Sequence, residues 1–328
     1  MPISIVTGAN GFVGSHLVDY LLGKGDEVHC IIRKSSNTQW LDGKPVTLHR
    51  CGLTDTEALR PIVQPADFVY HIAGVISSKT SEGFYQGNVE TTRNLCEAAL
   101  DAPNLKRITV VSSLAAVGAT KVGAPLVESA PYKPINNYGK SKQQQEALLN
   151  TYQGRLSITT IRPPAVYGPR DPAMFVFFKT VNNGLFSTAG FGKKTLSLVH
   201  AKDLVHGIWL AANNKVAEGS TYFISSVQAE YDWPHIARLV TKAVNRKVLN
   251  IRVPHAVIYI VGAVSQFLGK FKKKPPILTI EKAQEITQES WSCSPQKAVT
   301  ELGYKETYSL ETGIPETIAW YKENGWMS

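Results

Sequence analysis

The sequence predicts an α/β fold, a doubly wound parallel sheet carrying a smaller, mainly helical C-terminal lobe. Three observations predict it. Short apolar runs alternate with helix-like stretches from Ile3 to Ile161, the pattern of repeated strand–helix units. The first of these strands runs straight into a glycine-rich turn and then a helix. After Arg162 the texture changes to Pro- and Gly-punctuated loops, followed by helices rich in aromatic residues.

Ile3-Ser4-Ile5-Val6 has the composition of a buried parallel strand. Thr7-Gly8-Ala9-Asn10-Gly11-Phe12-Val13-Gly14 follows as the turn. Ser15 to Leu22 is then helical, with Val13, Leu17 and Leu21 on one face. A tight backbone at such a turn admits a pyrophosphate, whose charge the free N–H groups and the helix dipole hold. Gly8, Gly11 and Gly14 are not spaced as Gly-x-Gly-x-x-Gly, so a ligand-free turn is the alternative for this stretch alone. Glu27 to Ile32 is the second strand. Arg33-Lys34-Ser35-Ser36 lies just beyond it and contains no carboxylate. Arg33, Lys34 and Ser36 suit the 2′-phosphate of NADP better than the ribose hydroxyls of NAD, the alternative being a basic surface turn.

Val46 to Arg50 reads as the third strand and Thr54 to Val63 as a short helix. Asp67 to His71, the fourth strand, runs into Ile72-Ala73-Gly74, where small Ala73 and Gly74 leave room for a ligand. Phe84 to Ala99 is a helix and Arg107 to Val111 the fifth strand, ending in Ser112-Ser113. Asn137 to Leu149 is a helix and Ser157 to Ile161 the sixth strand. Beyond the loop that starts at Arg162, Met174 to Val181 is a short apolar helix. Leu196 to Val199 and Thr221 to Ile224 are further strands, with a helix over Asp203 to Ala212 between them.

Hydrophobic content of 43% and charged content of 19% are ordinary for a soluble globular protein. The net charge of +9 is mostly scattered, which argues against nucleic acid. Its dense cluster, Lys270-Phe271-Lys272-Lys273-Lys274, reads as a solvated loop. Cys30, Cys51, Cys96 and Cys293 form no Cys-x-x-Cys pair, and the eight histidines show no ligand-like spacing. Free thiols, no metal and a cytoplasmic setting are expected. A strand starting this close to Met1 leaves no room for a signal peptide. Ala256 to Leu268 is apolar but too short to span a bilayer, for which about 20 residues are needed. It is expected to pack internally or cover a pocket mouth, with peripheral membrane contact over Ala256 to Lys274 the alternative.

Tyr138 and Lys142 stand four residues apart, so on a helix both project from one face. A phenol is a poor acid or base near neutrality, and a neighbouring ammonium is expected to lower its pKa. The hydroxyls of Ser112-Ser113 end a buried strand, where one can donate to a carbonyl oxygen that tyrosine protonates. Alone, each feature has a plainer reading, a surface pair and a strand cap.

Thr7-Gly8-x-x-Gly11-Phe12-x-Gly14, Ser112-Ser113-x-Ala115-x-x-Gly118, Tyr138-Gly139-Lys140-Ser141-Lys142 and Arg162-Pro163-Pro164-x-Val166-Tyr167-Gly168-Pro169 occur in that order. Together with His200-x-x-Asp203-Leu204-Val205 they closely resemble the extended short-chain dehydrogenase/reductase superfamily. The resemblance implies a Rossmann-type domain and a catalytic triad of Ser113, Tyr138 and Lys142. Lys142 would also hold the nicotinamide ribose, and Pro163 to Val166 would lie along the nicotinamide edge. Where the family often has Asp-Leu after the third strand, this chain has Gly52-Leu53, which leaves an adenine contact to the backbone at Leu53, with Asp55 a doubtful substitute.

Ser113-Leu114-Ala115 lacks the acidic pair of the family's sugar-nucleotide dehydratases. Val253-Pro254-His255-Ala256 and Leu278-Thr279 resemble the hydroxysteroid dehydrogenase and dihydroflavonol reductase branch. Phe175, Phe177, Phe178, Leu185, Phe186 and Phe191 either line an apolar pocket or form ordinary core. The expected division is a dinucleotide-binding domain over 1–165, to which 196–224 returns, and a substrate lobe over 166–195 and 225–328. The expected function is an NADP-dependent oxidoreductase acting on a fairly apolar small molecule, with NAD possible and a homodimer possible. An NAD-dependent nucleotide-sugar epimerase and a non-catalytic NADP-binding sensor are the alternatives.

Overall fold

The computed structural model describes residues 1–269 and 278–327. Its first half alternates strands and helices: β1 (Ile3–Thr7), α1 (Phe12–Gly23), β2 (Glu27–Ile31), β3 (Val46–His49), α2 (Thr56–Val63), β4 (Phe68–His71), α3 (Ser81–Tyr85), α4 (Thr91–Ala99), β5 (Arg107–Val111), α5 (Leu114–Val117), α6 (Asn137–Asn150) and β6 (Ile158–Arg162). The second half contains β7 (Ala165–Tyr167), α7 (Pro172–Asn182), β8 (Leu185–Ala189), β9 (Thr195–Leu196), β10 (Leu198–His200), α8 (Ala201–Asn213), β11 (Thr221–Phe223), β12 (Tyr231–Asp232), α9 (Trp233–Val244), β13 (Leu249–Val253), α10 (His255–Gly269), α11 (Ile280–Thr287), β14 (Ser290–Trp291), α12 (Gln296–Leu302) and α13 (Leu310–Glu323).

Seven strands form one parallel sheet in the order β11-β6-β5-β4-β1-β2-β3. Its direction of growth reverses between β1 and β4, which opens a crevice at the carboxyl ends of those strands. Apolar clusters cover both sheet faces. Leu17, Val18 and Leu21 of α1 pack with Leu204 and Ile208 of α8 on one side. Leu59 of α2, Leu95 of α4 and Leu148 of α6 fill the other. Burial on both faces is why β4 reads Phe-Val-Tyr-His without alternation. The chain is thus the Rossmann-type doubly wound α/β fold with a mainly helical C-terminal portion.

Two local readings are corrected and two that stood open are narrowed. The helix expected over Phe84 to Ala99 starts at Ser81 and passes through a π-helical turn, Gln86–Glu90, before α4. The single strand expected over Leu196 to Val199 divides at Ser197, whose hydroxyl donates to Ala229 O and accepts from Cys293 N–H. That side chain ties the kink to two other segments, so β9 pairs with β12 and β14 while β10 pairs with β7. The aromatic cluster is core: Phe178 and Phe186 are buried, and Phe177 packs against both and against Trp233. Phe191, by contrast, is exposed. Finally, α10 does not pack internally all round. Ile258 and Gly262 meet the lobe, and the rest of its apolar surface is open. Lys270 to Lys274 lie outside the described residues. Among those described, no helix is long and apolar enough to cross a membrane.

Candidate active site

The glycine turn follows β1 at the sheet's reversal point. Gly8 has φ +67, and a Cβ there would meet Ala73 N at 2.8 Å. A Cβ on Gly14 would come within 2.1 Å of Gly8 O. Only glycine permits both the turn and the close approach of α1 to it. Gly11 caps α1 with extended backbone and no side-chain hydrogen bond, and the first turn of the helix carries no acid. Asn10, Phe12 and Val13 complete this bend. The helix therefore presents backbone N–H groups and its positive end toward the crevice. This tight bend, whose backbone a side chain at Gly8 or Gly14 would force apart, fits a dinucleotide pyrophosphate.

Arg33 and Lys34 are exposed at the end of β2 and make no ion pair among the described residues. The turn is closed by Ser36, whose Oγ accepts from Arg33 N–H at 3.1 Å. Leu53 is buried, and its carbonyl accepts from Asn94 Nδ2 at 3.0 Å. Asp55 accepts from Glu57 and Ala58 N–H groups as the cap of α2, which accounts for that carboxylate structurally.

Ser113, Tyr138 and Lys142 come from the end of β5 and the first turns of α6. Ser112 and Ser113 separate cleanly. Ser112 Oγ donates to Glu146 Oε1, inside a buried cluster where Arg162 Nη2 meets Glu146 Oε2 at 2.6 Å. Ser113 accepts from Ala115 N–H at 3.1 Å and lies near enough to the Tyr138 hydroxyl to draw its pKa down. Pro163 O accepts from Leu114 N–H at 2.9 Å, which sets the residue after Ser113 against the start of the Pro163–Val166 segment. Val166 itself lies in β7, paired with Val199.

Lys142 is 3% exposed, and its Nζ donates to Val111 O and Gln145 Oε1, both at 2.9 Å. Loss of hydration in this pocket lowers its pKa to about 8, the Glu146 charge opposing. A Cβ on Gly74 would lie 3.4 Å from that ammonium, so the crevice and Lys142 adjoin. The expected effect of Lys142 on Tyr138 does not hold here. Burial pushes the phenol up, nearby Ser113 pulls it down, and the ammonium is directed at Val111 and Gln145 instead.

A buried polar chain joins the two halves of the site, and sequence reading missed it. Ala73 N–H donates to Thr7 Oγ1 at 3.1 Å, and Thr7 Oγ1 lies 2.8 Å from His71 Nδ1. His71 Nε2 lies 2.8 Å from Thr92 Oγ1, which donates to Asn88 O at 2.6 Å. Because the Thr92 proton is committed to Asn88, His71 must donate from Nε2 and accept at Nδ1. Complete desolvation holds His71 neutral, its pKa lowered to about 3. Gln145 Nε2 also donates to Thr92 Oγ1, at 2.7 Å, and so links the chain to Lys142. Asn88 Oδ1 accepts from Val75 N–H at 2.7 Å and Nδ2 donates to Ser141 Oγ at 2.9 Å, tying the Ala73–Val75 loop to α6. Gln145 sits three residues past Lys142 on the same helix, a spacing that could have flagged it. Nothing local marks His71 or Asn88.

Asp203 and His200, part of the sequence resemblance, do not enter the site. Asp203 accepts from Thr307 and Tyr308 N–H groups at 3.0 and 2.9 Å, and His200 stacks on Tyr308 at 4.3 Å. Both fasten the C-terminal segment to α8.

Comparisons with known proteins place the chain by family and fold. A model of the NAD dependent epimerase/dehydratase family matches residues 4–225. The chain is 26% identical to a ceramide reductase of Caulobacter vibrioides, over 98% of this chain and 95% of that one. It is 28% identical to a 3-beta-hydroxysteroid dehydrogenase of Mycolicibacterium neoaurum, over 97% and 91% respectively. The structure of UDP-glucose 4-epimerase from Thermotoga maritima superposes with a TM-score of 0.80 at 20% identity, covering 98% of this chain and 99% of that one. At that identity the likeness shows the shared fold.

Proposed function

This chain belongs to the NAD dependent epimerase/dehydratase family, within the extended short-chain dehydrogenase/reductases, and as such is an NAD(P)-dependent oxidoreductase; we propose that it moves a hydride between NADP and the carbonyl or secondary-alcohol carbon of a fairly apolar small molecule. The observation that carries the reading is the meeting of the Ser113 and Tyr138 hydroxyls one helical turn from buried Lys142, beside the glycine cradle. We assign residues 1–165 and 196–224 to cofactor binding, and 166–195 and 225–328 to the substrate.

A nicotinamide dinucleotide, when bound, supplies or accepts the hydride. Thr7 to Gly14 would hold its pyrophosphate, and Arg33, Lys34 and Ser36 the 2′-phosphate. The Leu53 backbone would lie against the adenine, and Ala73, Gly74, Lys142, Pro163 and Val166 against the nicotinamide half. Tyr138 gives a proton to the substrate oxygen in reduction and takes it back in oxidation. Ser113 donates a hydrogen bond to the same oxygen, so developing charge is shared between two hydroxyls. Lys142, its ammonium anchored on Val111 O and Gln145 Oε1, would hold the nicotinamide ribose. The buried aromatics of α7 do not supply an apolar pocket, so support for an apolar substrate comes from the relatives, one named for ceramide and one for a hydroxysteroid.

The test is turnover of steroid and long-chain ketones with NADPH and with NADH, run beside a UDP-sugar epimerisation assay. Ketone reduction that prefers NADPH supports the reading. Epimerisation without net redox change, or no turnover on either panel, contradicts it.

A further inference from the structure

The outer face of α10 is an exposed apolar surface that the redox chemistry leaves unused. Ile260 is 63% exposed, Val264 53% and Leu268 53%. No Lys, Arg, Asp or Glu occurs anywhere in this helix. It is nonetheless firmly seated. Ile258 packs on Ala189 and Ala283, and a Cβ on Gly262 would lie 3.1 Å from Thr279 O. Ile280 N–H donates to Gln266 Oε1 at 3.0 Å. The exposed face is therefore a fixed platform. It continues into Phe191, which is 69% exposed and whose carbonyl accepts from Arg252 of β13 at 3.3 Å. Exposed Leu249 and Ile251 extend it along β13.

Charge identifies what covers it. Between Trp233 and Ile280 the sequence holds nine lysines and arginines and no aspartate or glutamate, whereas the whole chain nets +9. Exposed Arg246, Lys247 and Arg252 flank the platform, and the chain leaving α10 reads Lys-Phe-Lys-Lys-Lys. A protein partner of mixed charge does not call for this one-sided set; an anionic lipid surface does. The helix has 15 residues, about 22 Å of rise, against about 30 Å of bilayer hydrocarbon, so it can lie in the interface but cannot cross it.

We propose that the α10 face, with Phe191 and the edge of β13, docks this protein on an anionic membrane surface. The contact is also linked to the site. Helix α11, on which α10 rests, accepts hydrogen bonds through Glu281 from Asn137 and through Glu285 from Asn136, at the start of the helix that bears Tyr138. Docking thus couples the lipid-facing helix, through α11, to the start of the helix that bears Tyr138, a link whose functional meaning rests on the proposed function; the docking itself does not.

The full chain is sedimented, without cofactor or substrate, with vesicles of phosphatidylcholine alone or of phosphatidylcholine with phosphatidylglycerol. Binding is expected with the anionic vesicles and should fall as salt rises. An Ile260→Glu/Val264→Glu variant, altered only at exposed positions, should bind about tenfold more weakly or worse while melting at the same temperature as the parent. Equal binding to both vesicle types, or equal binding by the variant, would overturn the proposal. So would ultracentrifugation showing a dimer that the variant cannot form, because a second copy would then cover the face.

Discussion

The β4 region and α10 are both dominated by apolar residues, yet they are put to opposite uses. In β4 every side chain is buried, and its histidine, His71, has both ring nitrogens matched to threonine hydroxyls. In α10 only one narrow stripe is buried, and Val, Ile and Leu side chains face outward. Apolar content alone does not say where a segment sits; the surroundings decide. Around β4, parallel strands on both sides and helices on both faces leave no way out for a side chain. Around α10, contact comes from one side only. The buried region supports precise polar geometry, and the open one a surface.

Changes that intrude on the buried region should have the largest effects. Gly14→Val puts its first side-chain carbon 2.1 Å from Gly8 O, and should abolish NADP binding measured by calorimetry. If affinity survives, the cradle is not the pyrophosphate site. Ser113→Ala should lower kcat by about 10²-fold, the scale of one lost donor to a developing oxyanion. Ser112→Ala, whose partner is Glu146, should leave the chemical step close to normal and act mainly on stability. Reversal of that ranking would show that the wrong serine has been assigned.

Arg33→Asp probes a rim position where nothing is buried. NADP affinity should drop roughly tenfold, about 1.4 kcal/mol, with NAD affinity unchanged or improved. Equal losses for the two cofactors would remove Arg33 from 2′-phosphate recognition. A further effect concerns pH. Lys142 has a folded pKa of about 8, below its usual 10.5, so between those values the unfolded chain holds more protons than the native one. Stability from this group must therefore rise with pH through that window, by about 1–3 kcal/mol. Lys142→Met lacks that titration, so denaturant midpoints of parent and variant should shift relative to each other between pH 8 and pH 10. Parallel midpoints would mean that the lysine is not desolvated.

Much of the fold was readable because its signals are local. A strand, a glycine turn and a helix occupy consecutive residues in Ile3 to Leu22, and Tyr138 and Lys142 are one turn apart. Their meeting with Ser113 followed from strand ends sharing one edge of a parallel sheet. The Thr7–His71–Thr92–Gln145 chain was not readable, since it joins four elements far apart in sequence and no single residue in it is unusual. The π-helical turn at Gln86–Glu90 and the kink at Ser197 depend on hydrogen bonds to distant partners or on helix geometry without a residue code. The phenylalanines of α7 show the limit of composition, which predicts pocket and core equally well; packing against Trp233 and Tyr321 made them core.

The assignment is tested most directly by Tyr138→Phe, which deletes one oxygen atom and leaves the ring beside Phe84 in place. Single-turnover oxidation of NADPH by a ketone substrate should slow by about 10²–10⁴-fold, the scale of a lost general acid, with NADP affinity nearly unchanged. Hydride transfer at the parent rate in that variant would contradict the account.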